Sequence, residues 1–298
     1  MRALVAVAVS ALVAAVAPAA ASAYDWPLRP FRAMHAIRGG FDDPRYHVDP
    51  GVRETSFHFG VDIVAQDLAP VYAVAAGRAV IAAGHVAVQT GTREFGYWHV
   101  LPAVSTGQRI RLHQLVGVVG TGWGHLHFAE SQGGVYVNPL RPRALSPYVD
   151  RTRPVVASVA AVSPDGVRLD PRHVSGTIGI VAEAYDTPPL APPPPWQDAR
   201  LVPAQLRWRL VRGGEELEYW RTTADLGVSL LPERLYDLVY APGTYQNKAN
   251  RPGRYVFWLD RELDTRRLEP GTYEVEVQAS DAAGNRGSGT LELTVARG

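Results

Sequence analysis

Apolar and polar positions alternate repeatedly through the second half of the chain, a pattern typical of strands buried on one face. The clearest case is residues 273–277, where Tyr, Val and Val alternate with two Glu residues. A turn pattern, DAAGN at residues 281–285, separates this run from the last one. Further runs of this kind fall at residues 155–162, 176–184, 205–211, 255–259 and 290–295. Several short strands separated by turn signals predict a β-sandwich.

The first half is punctuated by glycines between short runs of small and β-branched residues. Such runs occupy residues 70–74, 77–84, 107–110 and 115–120. No long stretch shows the 3.6-residue period of an amphipathic helix, so we expect an antiparallel sheet here too. The sequence therefore predicts a mainly β protein, with an antiparallel β-sheet domain followed by a β-sandwich domain.

The first 23 residues differ from the rest of the chain. An apolar run from Ala3 to Val16 follows Arg2, and ASA at residues 21–23 fits a small-residue cleavage pattern. The apolar run is shorter than the roughly 20 residues of a membrane-spanning helix. We therefore favour a secretory signal peptide over a transmembrane anchor. We expect cleavage near Ala23, no transmembrane segment in the mature chain, and a secreted, periplasmic or cell-envelope location.

Prolines mark the other boundaries. Residues 141–154 contain three prolines and are interpreted as a linker between a first domain, residues 24–150, and a second, residues 151–298. The segment PPLAPPPP at residues 188–195 is too rich in proline to lie inside a sheet. It is expected to form an exposed, stiff insert within the second domain. Residues 233–238 are expected to form a short helix, and residues 242–253 a polar loop.

The composition excludes some kinds of binding and catalytic site and favours others. The 298 residues carry a formal net charge of +1, which gives no electrostatic signature of a nucleic-acid partner. The chain has no cysteine, which excludes thiolate metal ligands and a cysteine nucleophile. Eight of the nine histidines precede residue 130, and only His173 follows. Chemistry that depends on imidazole therefore belongs to the first half.

Two short clusters in the first half indicate a metal site. His58 and Asp62 stand four residues apart, and His125 and His127 stand two apart. On a strand, residues i and i+2 point to the same face, so both members of the second pair can face one site. Imidazole and carboxylate groups are the ligands expected of a catalytic zinc, which takes three protein ligands and keeps a position for water. Either cluster alone is weak evidence, but together they favour a metal site.

These clusters and their neighbours resemble the lysostaphin-type, or LytM-like, zinc metallopeptidases. The matching elements occur in the family's order: HFGVD at residues 58–62, YWH at 97–99, GQRI at 107–110 and GHLHF at 124–128. The similarity extends over roughly residues 37–140. It implies an antiparallel β-sheet metallopeptidase domain with a duplicated hairpin motif. It also implies an enzyme that cuts peptide bonds in bacterial peptidoglycan.

The resemblance also implies roles for individual residues. His58, Asp62 and His127 correspond to the family's three ligands for one zinc ion per chain, and His99 and His125 to its two catalytic histidines that do not bind the metal. One of those two would take a proton from the attacking water, and the other would hydrogen-bond the developing oxyanion. The sequence does not assign the two tasks between them. Tyr97 and Trp123 are candidates for the substrate groove.

Two departures from the family pattern leave substrate preference open. The approach to the second histidine motif is shortened to GTGWG at residues 120–124, and the arginine-containing element around Arg38 and Arg45 is irregular. We expect a secreted zinc endopeptidase acting on peptidoglycan peptides. A non-catalytic regulator of another wall hydrolase is the alternative, and a peptidase acting on proteins is a third. Which peptide bond is cut is left undetermined.

The second domain carries no cluster that predicts catalysis. It resembles an immunoglobulin-like or fibronectin-like sandwich. It is interpreted either as a module that binds the cell wall or a protein, or as a spacer or cap over the groove. Asp281 and Asn285 offer only two oxygen donors, whereas calcium takes six to eight ligands. The sequence therefore favours a simple turn there over a calcium site.

Overall fold

The computed structural model describes residues 23–49, 52–82 and 84–296. The predicted signal peptide, residues 1–23, lies outside this part of the chain except for Ala23. The described residues form a mainly β protein with antiparallel sheets, which confirms the predicted fold class. None of the helices found there is long and apolar enough to cross a membrane.

The first half contributes one large sheet, one small sheet and a hairpin. The large sheet has the order β1-β4-β12-β8-β7-β6-β10, with β13 paired to β12, the small sheet is β5-β11-β9, and the hairpin is β2-β3. The strands are β1 Ile37–Gly39, β2 Pro44–Asp49, β3 Val52–Phe57, β4 Val61–Val64, β5 Pro70–Tyr72, β6 Gly77–Ala82, β7 His85–Thr90, β8 Arg93–Trp98, β9 Val100–Pro102, β10 Arg109–Ile110, β11 Leu115–Val119, β12 His125–Gln132 and β13 Val135–Val137.

The second half contributes two further antiparallel sheets. One has the order β14-β15-β19, and the other has the order β17-β16-β20-β21 with β18 paired to β16. The strands are β14 Val155–Val162, β15 Thr177–Tyr185, β16 Gln205–Arg212, β17 Glu215–Glu216, β18 Arg221–Asp225, β19 Val256–Asp264, β20 Gly271–Ser280 and β21 Arg286–Val295. A 3₁₀ turn at Glu233–Leu235 leads into the short helix α1, Tyr236–Val239, where a helix was expected. A second 3₁₀ turn follows β19 at Thr265–Arg267.

Each half has its own hydrophobic core. The first is built around Trp26, Phe95, Tyr97 and Phe128, and the second around Trp208 and Phe257 with both neighbouring sheets. Burying aromatic and aliphatic side chains in this way is the main favourable contribution to folding. The second core accounts for the alternation of apolar and polar residues at positions 273–277, because every second side chain of β20 is buried in it. The exact domain boundaries stay a prediction.

The two halves are joined by polar as well as apolar contacts. Asp43, which is fully buried, accepts hydrogen bonds from the backbone N–H of Gly40 in the first half and of Val202 in the second. Phe57 at the end of β3 packs against Tyr240, with ring centroids 5.8 Å apart. The buried carboxyl group of Asp43 thus connects the two halves beside the candidate site.

Candidate active site

The register of the large sheet brings the two histidine clusters together. Strand β12 lies between β4 and β8, and its backbone pairing sets His127 opposite Asp62 on one side and Trp98 on the other. Residues directly opposite each other in an antiparallel pair project from the same face. His125 also lies on β12, while Leu126 between the two histidines is fully buried in the core. The two histidines of the HLH segment therefore face the same side of the sheet, as their spacing predicts.

Three side-chain atoms converge at this face of the sheet. The Nε2 atom of His58 lies 2.7 Å from Nδ1 of His127. The Oδ1 atom of Asp62 lies 3.2 Å from each of these nitrogens. Ligand atoms bonded to zinc at about 2.1 Å in a tetrahedron are roughly 3.4 Å apart, so the spacing is close to that of a zinc site. His58, Asp62 and His127 are thus a group that could bind a metal ion.

Neighbouring groups orient two of these ligands. The Nδ1 atom of His58 lies 2.6 Å from the carbonyl oxygen of Gly40. Since that oxygen can only accept, Nδ1 carries the hydrogen and Nε2 keeps its lone pair for a metal. The Nη2 group of Arg45 donates to Oδ2 of Asp62 at 2.8 Å, which leaves Oδ1 facing the histidines. Such outer partners commonly fix metal ligands. Two imidazoles and one carboxylate held in this way fit zinc.

The electrostatics keep the ligands in their metal-binding forms. Burial alone would raise the pKa of Asp62, but the neighbouring His58 and the Arg45 guanidinium hold it well below its usual value. Burial lowers the pKa of His127 to about 4, and burial also lowers the pKa of His58. At neutral pH the carboxylate is therefore ionised and both imidazoles are neutral, as metal ligands must be.

His125 and His99 stand beside the three convergent atoms. The Nδ1 atom of His125 lies 2.8 Å from the Trp123 carbonyl oxygen and 2.6 Å from Nη2 of Arg38, so it donates to the oxygen in one tautomer and accepts from the guanidinium in the other. Its Nε2 atom then lies 3.5 Å from Oδ1 of Asp62. His99 stacks on Trp123, with ring centroids 3.5 Å apart, and its centroid is 4.7 Å from that of His125.

The backbone at His99 adopts a rare conformation. His99 separates β8 from β9 and has a φ of 64°, in the left-handed region that non-glycine residues seldom occupy. Its N–H donates to the Gly84 carbonyl, and its own carbonyl accepts from the Gly120 N–H. Burial, followed by the nearby His125, lowers the pKa of His99 to about 4. Both flanking histidines are neutral at pH 7, because burial also lowers the pKa of His125, and each can accept a proton.

A cavity of about 370 Å³ contains all five predicted residues. Both halves of the chain line it. Its walls are formed by Arg38, Arg45, Ser56, His58, Phe59, Asp62, Trp98, His99, Trp123, His125 and His127 from the first half and by Trp196, Gln246 and Asn247 from the second.

The structure places only one of the two groove candidates in the cavity wall. Trp123 lines the cavity and is 48% exposed, and its part in substrate binding stays a prediction. Tyr97 is fully buried, and its hydroxyl accepts a hydrogen bond from the Val74 N–H at 2.9 Å. The register explains the error, because Tyr97 lies opposite Phe128 and shares the core face of the sheet. The adjacent Trp98 points to the other face and lines the cavity instead.

Several lining residues were not predicted from the sequence. Arg45 and Arg38 fall in the element identified as irregular, and their contacts with Asp62 and His125 explain why arginine is found there. Trp196 directly follows the proline-rich insert, and its ring lies 4.3 Å from the Arg38 guanidinium carbon. The amide Nδ2 of Asn247 donates to the Arg38 carbonyl at 3.1 Å. Trp196 and Asn247 come from loops of the second half, so the spacing of motifs in the first half does not predict them.

Comparisons with known proteins give similarities among solved structures only. No family profile matches the sequence. A search of curated proteins found no match. A zinc-containing peptidase from Vibrio cholerae is 23% identical, with a TM-score of 0.33 and coverage of 40% of this chain and 39% of that one. Csd3 from Helicobacter pylori is 22% identical, with a TM-score of 0.32 and coverage of 40% and 34%.

The solution structure of lysostaphin is also similar. It is 12% identical, with a TM-score of 0.27, and the alignment covers 86% of this chain and 91% of lysostaphin. The chain spans between about a third and two fifths of the length of the Csd3 and Vibrio cholerae structures. The residues of the site, rather than these similarities, carry the functional argument.

Proposed function

We propose that the chain is a secreted zinc metalloendopeptidase of the lysostaphin type that hydrolyses peptide bonds of bacterial peptidoglycan. One observation carries the proposal: Nε2 of His58, Oδ1 of Asp62 and Nδ1 of His127 converge within 3.2 Å of one another. Two further histidines, His99 and His125, adjoin them in a cavity open to substrate. A purely structural histidine cluster has no need of this second, unligated pair.

The proposed roles follow from the chemistry of each group. His58, Asp62 and His127 would hold one zinc ion, which polarises the scissile carbonyl and lowers the pKa of a bound water. His99 and His125, both neutral, share two tasks: one accepts the proton of the attacking water, and the other hydrogen-bonds the oxygen on which charge develops. Stacking on Trp123 and the contact with Arg38 restrict the two rings to one orientation, which favours reaction.

The substrate class and location rest on the sequence resemblance and on the groove. The motifs of residues 58–62, 97–99 and 124–128 resemble those of peptidases that act on peptidoglycan peptides. A cavity of about 370 Å³ with aromatic walls accommodates a short peptide segment. The signal-like residues 1–23 support export to the compartment where peptidoglycan lies.

The second half is proposed to form an immunoglobulin-like or fibronectin-like sandwich spanning residues 151–298. Two antiparallel sheets around one core support that assignment. Trp196, Gln246 and Asn247 in the cavity wall favour a part in shaping the groove over a part as a simple spacer. A cell-wall or protein partner for this half is a further proposal.

Metal analysis combined with digestion of purified sacculi tests the function. Purified wild-type protein should contain about one zinc per chain and release peptide-linked fragments, which mass spectrometry identifies. Asp62→Ala should lose both metal and hydrolysis, while Asp165→Ala, an exposed aspartate in the second half, should keep both. Wild-type protein that holds no zinc and leaves sacculi intact would overturn the proposal. Zinc binding without hydrolysis of sacculi or of denatured protein would favour the regulator alternative.

A further inference from the structure

Arg38 brings a positive charge into the cavity wall without a carboxylate beside it. The charged residues of that wall are Arg38, Arg45 and Asp62. Arg45 is paired with Asp62, since its Nη2 lies 2.8 Å from Oδ2 of the carboxylate. Arg38 forms no ion pair with an aspartate or glutamate in the described part of the chain. The cavity thus carries an excess of positive charge, to which a bound zinc ion would add, and it favours an anionic ligand.

The polar contacts of the Arg38 guanidinium with other described residues fall on one nitrogen. Nη2 lies 2.6 Å from Nδ1 of His125 and donates to the Trp123 carbonyl oxygen at 3.3 Å. Nε and Nη1 donate to no acceptor within residues 23–49, 52–82 and 84–296. Neither of these two atoms is enclosed by the protein, so both are accessible to a ligand. Each can donate a charge-assisted hydrogen bond to a carboxylate.

Residues of both halves fix the position of Arg38. It lies in β1 next to Gly39, which is paired with Asp62 of β4. Nδ2 of Asn247 donates to the Arg38 carbonyl at 3.1 Å, and the Trp196 ring lies 4.3 Å from the guanidinium carbon. An aromatic ring on the face of a guanidinium leaves the N–H groups at its edge free to donate in the plane. The side chain is therefore preorganised to bind an anion.

The guanidinium lies close to the proposed zinc ligands. His125 stands between them, because its Nδ1 contacts Nη2 of Arg38 and its Nε2 lies 3.5 Å from Oδ1 of Asp62. One imidazole ring therefore separates the guanidinium from the metal site, a distance that about two residues of extended peptide span. A peptide whose scissile carbonyl lies at the metal site would reach Arg38 with a carboxylate on one of the neighbouring residues.

We propose that Arg38 selects peptides that carry a free carboxylate within about two residues of the cleaved bond. The inference rests on the proposed peptidase function and names the class of peptide that the same site prefers. The unbalanced charge, the accessible Nε and Nη1 atoms and the short separation from the proposed zinc ligands support it. Glycine bridges and amidated stem peptides lack such an anion, so they would leave the guanidinium without a partner in the complex. Arg38 thus determines specificity in addition to contacting His125.

Two synthetic cross-linked stem peptides test the proposal. One has free carboxylates, and in the other each carboxylate is replaced by a primary carboxamide. Wild-type protein should hydrolyse the carboxylate peptide with a kcat/KM about 10–100-fold higher, because the carboxamide loses the charge-assisted hydrogen bonds. Arg38→Met should have lower activity and cut both peptides equally well. Loss of the His125 contact alone would slow hydrolysis of both peptides by the same factor and leave their kcat/KM ratio unchanged.

Two further variants serve as controls. Arg153→Met removes an exposed arginine and hence the same charge, and it should keep the wild-type kcat/KM ratio. Arg38→Lys keeps the charge without the planar guanidinium and should keep part of the preference for the carboxylate peptide. An equal kcat/KM of the wild type on the two peptides, or an unchanged ratio in Arg38→Met, would overturn the proposal.

Binding measurements separate failure of this proposal from failure of the proposed function. If the wild type hydrolyses neither peptide, the peptidase function fails, and calorimetric titration of the purified protein with the same two peptides still tests Arg38. Tighter binding of the carboxylate peptide to the wild type than to Arg38→Met, without such a difference for the carboxamide peptide, would support the role of Arg38. Equal affinity of the wild type for the two peptides, or binding of neither, would overturn it.

Discussion

The Nε2 atom of His58 lies 2.7 Å from the Nδ1 atom of His127, although the two residues are 69 positions apart in the sequence. His58 donates its one ring N–H, on Nδ1, to the Gly40 carbonyl oxygen, so its Nε2 presents a lone pair to His127. The Nε2 atom of His127 is buried and has no hydrogen-bond partner among the described residues. A metal ion bound between the facing nitrogens would leave the one hydrogen of each imidazole on the nitrogen away from the metal.

Substituting the two histidines of β12 one at a time should separate zinc binding from hydrolysis. His127→Ala removes a proposed ligand and should abolish both zinc content and hydrolysis. His125→Ala should keep about one zinc per chain and lose hydrolysis, because only a group for proton transfer or oxyanion binding is removed. Metal analysis and sacculus digestion measure the two effects. His173→Ala, at an exposed position in the second half, is the control. Loss of zinc from His125→Ala would identify that residue as a ligand instead.

Arg45 should control how tightly zinc is held. Its Nη2 donates to Oδ2 of Asp62 at 2.8 Å and so directs Oδ1 toward the histidines. Arg45→Met should weaken zinc binding by about 10–100-fold, the range typical for loss of a group that orients a ligand. Competition with a chromophoric chelator measures the affinity. Arg153→Met, which removes an exposed arginine, should leave the affinity unchanged. Equal zinc affinities for the two variants would show that Asp62 binds zinc without help from the Arg45 hydrogen bond.

Gly60 is expected to be essential for the position of His127. A Cβ atom at Gly60 would lie 2.4 Å from the Phe128 carbonyl oxygen and 2.9 Å from Nε2 of His127. Gly60→Ala should therefore push strand β12 and its ligand away, lowering both Tm and zinc affinity. At Gly227 the nearest atom to a new Cβ is 3.4 Å away, which is ordinary contact. Gly227→Ala is thus the matched control. A Gly60→Ala protein with wild-type zinc affinity would contradict this explanation.

Local patterns in the sequence predicted much of the fold. Strand β14 occupies residues 155–162, as the apolar run indicated, and β20 covers the alternating residues 273–279. These predictions hold because a half-buried strand imposes a two-residue period whatever it packs against. The same period explains the error at Tyr97. Adjacent aromatic residues on β8 face opposite sides of the sheet, and the sequence does not show which side is the core.

The spacing of the histidines predicted the candidate ligands but not their surroundings. His58, Asp62, His125 and His127 lie in short motifs, so local spacing identifies them. Asn247 and Trp196 reach the cavity from loops of the second half, and contacts between distant loops leave no periodic signal.

The last prediction concerns the part that the second half plays in substrate binding. Trp196 lines the cavity and stacks on Arg38, with its ring 4.3 Å from the guanidinium carbon. Trp196→Ala should keep zinc but lower kcat/KM on sacculus fragments by about 3–30-fold, chiefly through KM. It removes aromatic wall surface that a bound substrate would cover, and partial burial of such a side chain contributes about 0.7–2 kcal/mol.

The matched control for this effect is Trp220→Ala. Trp220 also belongs to the second half and lies against Arg207 and Arg209, each 4.7 Å from its ring, outside the cavity wall. Its replacement removes similar contacts without touching the groove, so KM should stay unchanged. Steady-state kinetics on one purified fragment compares the two variants. Equal KM values for Trp196→Ala and the wild type would show that the second half does not contact the substrate through this residue.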